Sequence, residues 1–409
     1  MGPNRNFIVT ASINGILRLW SPDFSKLISE VNTQQGILDC DVNHREIVVL
    51  GAAGTLSLLD MEESTFNVIM RSHLDNVQDL CFNKPSSKIV TVGLDQKIYI
   101  WNSESMEVVT EFTTNNDVAL KLTTSQSDSA MAIGFKSGFI RIFDLSFENS
   151  GKLMAETMIF EAPVMDLQYS PDNKFLAVFY KTCRIVIFSI EKGYQPVKSI
   201  DYEFPNENYF SLSFSPDSKY LANISSNANN VTVWETKNFS LKFHVDLTGD
   251  IVSRIKFAPN GKDLVMLTTS SKLKFYRISF SELKFNKEIY GVTDLECLDF
   301  EISPNCKFIA VCGKEGVVKV YDYFMRGAAT PSSQAFIGHF KHPKRVFWHD
   351  DMRFLYTLGD GNGIFRWSFF GDKELPSDLS RHYEEIEPKK ETKKVEEPIF
   401  NHEELLKMT

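Results

Sequence analysis

The sequence has little of what builds disulfide-bonded, membrane-spanning or polyanion-binding proteins. Its 409 residues contain six cysteines with no CxxC pair, which predicts buried free thiols in a reducing compartment and no disulfide framework. No apolar run is long enough to span a bilayer, and no secretory signal is recognised. The net charge of −9 argues against nonspecific nucleic-acid binding. We therefore expect a cytoplasmic protein without membrane or nucleic-acid partners.

What the sequence does contain is an internal repeat. A short alternating strand ends in an aromatic or apolar residue nine times, and consecutive endings are 39 to 46 residues apart. This spacing is the period of a four-stranded propeller blade. A Pro-Asp or Pro-Asn turn recurs at one phase of the repeat, which is typical of an all-β meander. The strands end at Trp20, Leu59, Trp101, Phe143, Phe188, Trp234, Tyr276, Tyr321 and Trp367.

The third repeat carries His73, Thr91, Asp95 and Trp101 in the order of the WD-repeat family, and the chain resembles that family. The resemblance implies an all-β WD-repeat β-propeller of four-stranded antiparallel blades. It also implies a structural network in which Asp95 binds His73, and His73 passes the chain of hydrogen bonds to Thr91 and Trp101. The last repeat keeps three members of the set, with Gly361 at the aspartate position: His339, Thr357 and Trp367.

The number of blades depends on how the ring closes. Eight blades are expected if Lys26 to Val31 supplies the missing outer strand of the last blade, and seven if Phe66 to Met70 does so. In the second case residues 1–64 belong to a neighbouring propeller. The continuous repeat favours eight blades over residues 1–371. Because the chain starts in mid-repeat, we expect it to be the C-terminal part of a longer protein.

Residues 372–409 form a charged segment that departs from the repeat and predicts disorder, with a short docking helix as the alternative. The sequence predicts no catalytic residues, cofactor, metal or small-molecule substrate, because its glycine-rich stretches fit blade turns and no nucleophile or ligand set stands out. It therefore predicts a binding protein. Basic residues that are candidates for contacting an acidic partner are Lys272, Lys274, Lys341, Lys344 and Arg345.

Several phrases resemble the C-terminal propeller region of the WD repeat-containing protein 90 family: residues 17–24, 71–73, 128–138, 318–323 and 336–339. That resemblance implies a non-enzymatic scaffold of centrioles, basal bodies or ciliary microtubules, which supports centriole integrity and cilium assembly. The implied partners are tubulin, centriole-wall proteins or axonemal proteins, and the implied location is the cytoskeleton. The family's tubulin-facing module has no counterpart here, so direct or indirect tubulin contact stays open. The alternative is a substrate-recognition or assembly subunit of a ubiquitin-ligase or trafficking complex.

Overall fold

The computed structural model describes residues 8–33, 36–42, 46–51, 56–60, 65–70, 73, 75–114, 116–127, 129–146, 151–201, 209–224, 229–247, 249–279, 281–329, 334–339, 341–360 and 363–371. All regular structure in these ranges is β-strand, as the alternation of apolar and polar residues predicts. No described helix could cross a bilayer. The charged segment 372–409 and the Gly361 position lie outside these ranges.

Two antiparallel sheets occupy the N-terminal part of the chain. They share one core, in which Leu17 and Leu19 from the first sheet pack against Ile47 and Val49 from the second. The first sheet contains β1 Ile8–Ala11, β2 Ile16–Trp20 and β3 Leu27–Asn32. The second contains β4 Ile37–Val42, β5 Glu46–Gly51, β6 Leu56–Asp60 and β7 Thr65–Met70.

Seven further sheets follow, and in each the strands run as an antiparallel meander from an inner strand to an outer one. The strands are β8 Val77–Asn83, β9 Lys88–Gly93, β10 Lys97–Asn102 and β11 Val108–Thr113; β12 Ala119–Thr124, β13 Ala130–Phe135, β14 Phe139–Asp144 and β15 Leu153–Met158; β16 Val164–Tyr169, β17 Phe175–Tyr180, β18 Arg184–Ser189 and β19 Gln195–Asp201; β20 Leu212–Phe214, β21 Tyr220–Ile224, β22 Asn230–Glu235 and β23 Ser240–Asp246; β24 Val252–Phe257, β25 Asp263–Thr268, β26 Lys272–Ile278 and β27 Leu283–Tyr290; β28 Cys297–Ile302, β29 Phe308–Gly313, β30 Val317–Asp322 and β32 Gln334–Ile337; and β33 Pro343–Trp348, β34 Phe354–Gly359 and β35 Ile364–Ser368. The short strand β31 Gly327–Ala328 pairs in parallel with β27.

The turns between the first and second strands explain the recurring Pro-Asp signal. In the third of these seven sheets, the Ser170 hydroxyl donates to Asp172 and accepts the backbone N–H of Phe175 at 2.9 Å. Asn173, which follows Asp172, has a positive φ of 54°, a conformation that asparagine tolerates. The same geometry recurs one repeat later at Ser215, so local side-chain bonds set the start of each second strand.

The seven sheets close a ring. Seven buried apolar clusters each join two neighbouring sheets. One of them joins the sheet β33–β35 to the sheet β8–β11 through Tyr356, Leu358, Leu80 and Trp101. The expectation of eight blades is therefore not confirmed. Neither N-terminal sheet lies between β33 and β8, which contact each other directly.

The structure also corrects both predicted closing strands. The segment Lys26 to Val31 overlaps β3, which continues a hairpin with β2, and Phe66 to Met70 lies in β7, which pairs with β6. Both strands, β3 and β7, are therefore hydrogen-bonded to the strand before them in the sequence. The last sheet therefore has three strands among the described residues, and the ring is closed by side-chain packing between sheets.

Candidate binding channel and face

The predicted WD-repeat residues of the third repeat come together. His73 Nδ1 lies 2.9 Å from Asp95 Oδ1, and His73 Nε2 lies 2.8 Å from Thr91 Oγ1. The indole N–H of Trp101 donates to the same hydroxyl at 2.9 Å. All of these polar groups are buried or nearly so. The network gives each of them a hydrogen-bond partner, which a buried polar group needs because it has lost contact with water. The four side chains are therefore joined in one hydrogen-bond network within the blade.

The last blade keeps a shorter form of this network. His339 Nε2 lies 2.6 Å from Thr357 Oγ1, and Trp367 donates to that hydroxyl at 2.7 Å. Burial lowers the pKa of His339 to about 4, so the ring is neutral near pH 7. The sheet β20–β23 contains a further variant that was not predicted, in which Trp234 donates to Asn223 at 2.8 Å. An asparagine at the threonine position of the second strand is the signal for it.

A central cavity of about 250 Å³ is lined by residues from all seven inner strands or the residues next to them. The third residue of the inner-strand pattern is polar in all seven sheets and contributes to a ring, of which Asp166, Ser211, Arg254 and Arg345 line the cavity. No two neighbours in this ring carry charges of the same sign. At the junction of the last and first of the seven sheets, Arg345 contacts Asp79. The seven residues are Asp79, Lys121, Asp166, Ser211, Arg254, Asp299 and Arg345.

A break in register explains why these residues occupy one level. In six of the seven inner strands the pairing skips one residue just before this position, as between Val77 and Asp79. Such a bulge re-aims the side chain that follows it. Four of the seven then accept a backbone N–H from the next sheet: Asp79 from Leu122 at 3.2 Å, Asp166 from Leu212 at 2.7 Å, Ser211 from Ile255 at 3.2 Å and Asp299 from Val346 at 3.3 Å.

Ion pairs hold part of this ring together. Arg345 Nε lies 2.9 Å from Asp79 Oδ1 across the junction of the last and first sheets. Lys256 Nζ, one level along the channel, lies 3.3 Å from Asp299 and 2.5 Å from Glu301. Burial alone would raise the pKa of Asp299, but the cation of Lys256 holds it below its ordinary value. Asp299 is therefore ionised at neutral pH.

The predicted basic residues lie on the face formed by the outer-to-inner connections, apart from Arg345, which lies in the channel. Most of them are neutralised within the chain. Asp250 pairs with Lys272 at 3.2 Å and with Lys274 at 2.5 Å, and Asp360 pairs with Lys344 at 2.5 Å. Lys341 is exposed. Three of the five predicted basic residues are thus paired with aspartates of the chain.

Exposed apolar side chains also lie on this face. Ile251 and Leu295 lie in two successive outer-to-inner connections, and Ile337 ends β32 just before the next connection; the three side chains are 46%, 55% and 79% exposed. In an antiparallel meander these connections all emerge at one end of the sheets. Large apolar side chains that cluster on the surface commonly mark protein contacts. Among the described residues, no His, Cys, Asp or Glu side chains gather in a group of three that could hold a metal ion.

A family model described as the second β-propeller of WDR90/POC16 matches residues 81–368, which span the ring from β8 to β35. The chain belongs to the WDR90/POC16 β-propeller family. The match ends at the last strand of the closed ring, and the family's WD-repeat fold agrees with the meander sheets described above. The sequence prediction of a WD-repeat propeller resembling this family is confirmed.

Several curated proteins are similar to this WDR90/POC16-family chain. WD repeat-containing protein 90 of Xenopus tropicalis is 25% identical over 377 residues, which cover 89% of the chain and 20% of the relative. The human protein of the same name is 24% identical, with 89% and 21% covered. Human echinoderm microtubule-associated protein-like 3 is 21% identical over 315 residues, with 75% and 32% covered. The chain spans about a fifth of the WD repeat-containing protein 90 relatives.

Proposed function

We propose that the protein is a non-enzymatic interaction scaffold of centrioles, basal bodies or ciliary microtubules, and that it supports centriole integrity and cilium assembly. Its place in the WDR90/POC16 family carries the proposal. A more distant relative is named as a microtubule-associated protein, which supports a link with microtubules. The sheets β1–β3 and β4–β7 share a core separate from the ring clusters, and we propose that they belong to a neighbouring propeller.

The contact is proposed to be largely apolar. Lys272, Lys274 and Lys344 are engaged by aspartates of the chain, so they offer little free positive charge to the acidic surface of a microtubule. Ile251, Leu295 and Ile337 are exposed and offer apolar anchors instead. A protein of the centriole wall or axoneme with a complementary apolar surface fits this face better than a purely acidic one.

Localisation of a tagged copy in ciliated cells tests this proposal. We expect staining at centrioles or axonemes, and loss of that staining when Ile251, Leu295 and Ile337 are all replaced by serine. Phe324→Ser is the matched control, because Phe324 is 69% exposed but follows β30 at the opposite end of the sheets. A diffuse or endomembrane signal from the unaltered protein would contradict the proposal and favour a ubiquitin-ligase or trafficking role.

Microtubule co-pelleting separates direct from bridged contact. A scaffold that meets microtubules through apolar partners should pellet weakly with purified tubulin and respond little to added salt. Strong pelleting at low salt that disappears as salt rises would indicate direct electrostatic binding instead.

A further inference from the structure

The connection between β30 and β32 leaves its own blade. Residues 323–333 separate these two strands, whereas only residues 279–282 separate the corresponding strands β26 and β27 of the preceding blade. Part of the longer connection crosses to that preceding blade, where β31 pairs in parallel with β27. We call residues 325–329, which contain β31, the strap.

The strap covers the outer edge of one blade. Gly327 pairs with Ile289, and Ala328 pairs with Tyr290. The backbone N–H of Ala329 donates to the carbonyl of Tyr290 at 2.8 Å. Among the described strands, β11, β15, β19 and β23 end their sheets without such a cover. The fifth strand is therefore a feature of this blade and not of the repeat.

A buried lysine of β27 binds the start of the strap. The Lys287 ammonium donates to the backbone carbonyl of Tyr323 and to that of Met325, the latter at 3.1 Å. It also lies 4.2 Å from the ring centroid of Phe275 and 4.8 Å from that of Tyr323. In the described part of the chain no carboxylate forms an ion pair with Lys287. The closed strap therefore buries a cation without a counter-charge, which opposes its closure.

The strap is anchored firmly at its root and loosely beyond it. Tyr323, just before the strap, donates its hydroxyl to Asp263 Oδ2 at 2.7 Å and is buried. Within the strap, Met325 and Ala329 are only partly buried against the core. Gly327 has a positive φ of 76°, and a Cβ at this position would meet no atom within 4 Å. The strap can thus move away from β27 while its root stays in place.

We propose that the strap opens and closes on the outer edge of β27, and that Lys287 is the positioning residue that holds it closed. The two parallel strand pairs and the two carbonyl contacts of Lys287 are the bonds that opening breaks. An open strap leaves the edge of β27 unpaired, and such an edge is where an extended segment of another protein adds as a strand. The closed strap therefore masks a docking edge of the blade.

The charge of Lys287 makes the balance depend on pH. Burial lowers the pKa of Lys287 to about 8; the carboxylates of Asp263 and Asp322 oppose this shift, and the guanidinium groups of Arg326 and Arg277 add to it. When the strap opens, the ammonium returns to water and its pKa rises toward the ordinary 10.5. Protonation therefore favours the open strap, and the strap should close more tightly as pH rises from 8 to 10.5.

Trypsin cleavage after Arg326, which lies in the strap, measures the opening in the full chain. The cleavage rate is divided by that of a free peptide of residues 320–332 at the same pH, which removes the pH dependence of the protease. We expect the relative rate to fall about tenfold from pH 7.5 to 9.5. In Lys287→Met the relative rate should not vary with pH and should exceed that of the unaltered chain at pH 9.5, because the two carbonyls have lost their donor.

Two further variants make the test decisive. Lys284→Met is the matched control, because Lys284 is an exposed lysine of the same strand and its loss should leave the pH profile unchanged. The pair Tyr290→Cys with Ala328→Cys places two thiols on directly paired residues, so oxidation should lock the strap and stop cleavage, and reduction should restore it. The proposal is overturned if the relative rate of the unaltered chain is the same at both pH values. It is equally overturned if Lys284→Met abolishes the pH dependence, or if the oxidised and reduced forms of the cysteine variant are cleaved alike.

Discussion

The pair of Asp79 and Arg345 joins the two ends of the ring, so its loss should open the ring at one place. Asp79 is 1% exposed and the Arg345 side chain 14%. Burial alone would lower the pKa of Arg345, but the carboxylates of Asp79, Asp299 and Asp166 raise it above its ordinary value. The guanidinium therefore keeps its charge when its partner is removed, and Asp79→Asn leaves a buried cation without its nearest anion.

The expected loss of stability follows from that uncompensated charge. Breaking a buried pair by removing one partner costs about 3 to 5 kcal/mol, whereas an exposed pair contributes about 1 kcal/mol or less. Asp79→Asn keeps an oxygen that can accept the Leu122 N–H, so the cost is assigned to charge rather than to the backbone bond. The double variant Asp79→Asn with Arg345→Met removes both charges and should recover a large part of the loss.

Hydrogen exchange measured by mass spectrometry, combined with thermal melting, is the assay. In Asp79→Asn we expect faster exchange in β8–β9 and β33–β34, with β20–β23 on the far side of the ring protected as before. Arg353→Met is the control, because its pair with Asp351 lies at the surface, where the Arg353 side chain is 67% exposed. The reasoning is refuted if Asp79→Asn and Arg353→Met lower stability equally, or if exchange rises uniformly around the ring.

Three further outcomes follow from single contacts. Gly93→Ala should cost about 2 kcal/mol and alter tryptophan fluorescence, because the added Cβ would overlap the bonded His73 and Asp95 side chains; calorimetry measures the cost. The pKa of His339 is about 4 in the folded chain, against 6.5 for an ordinary histidine. Between these two pH values His339 binds a proton in the unfolded chain but not in the folded one. Stability should therefore fall as pH falls through that window, by about 1 kcal/mol for this partly solvated ring, and His339→Gln should lose this contribution in urea melts. Lys287→Met should expose the segment after β30 to limited proteolysis, because the buried ammonium donates to two backbone carbonyls there.

Much of the fold was predictable because it is local and repeated. Strand alternation and the Ser-Pro-Asp turns depend on residues a few positions apart, so each blade carries its own signal, as at Ser170 and Ser215. Ring closure is not local. Arg345 and Asp79 are 266 positions apart in the sequence. No turn motif or residue spacing predicts that the sheets containing them are neighbours. The blade number depended on that contact, and the expectation of eight blades is not confirmed.

The candidate site divides in the same way. The set of His73, Thr91, Asp95 and Trp101 was predicted because one repeat contains all four residues. Lys272 and Lys344 were predicted as free basic residues, but their aspartate partners lie on adjacent connections and turns that only the folded sheets bring close. The channel ring was missed although it recurs at one phase of the repeat, because its members alternate between acidic and basic and therefore do not form a motif.

The alternation itself has a structural consequence. Apolar clusters between blades hold neighbouring sheets together but specify little about their height along the ring axis, since one aliphatic row packs against another at several offsets. Asp79, Asp166, Ser211 and Asp299 each accept a backbone N–H from the following sheet, and such a bond forms only at one offset. A hydrogen bond to a charged group contributes about 1.5 to 3 kcal/mol, enough to select one offset among near-equal packings. We infer that the polar channel sets the relative heights of the blades, and hence the spacing of Ile251, Leu295 and Ile337 on the face proposed to contact a partner.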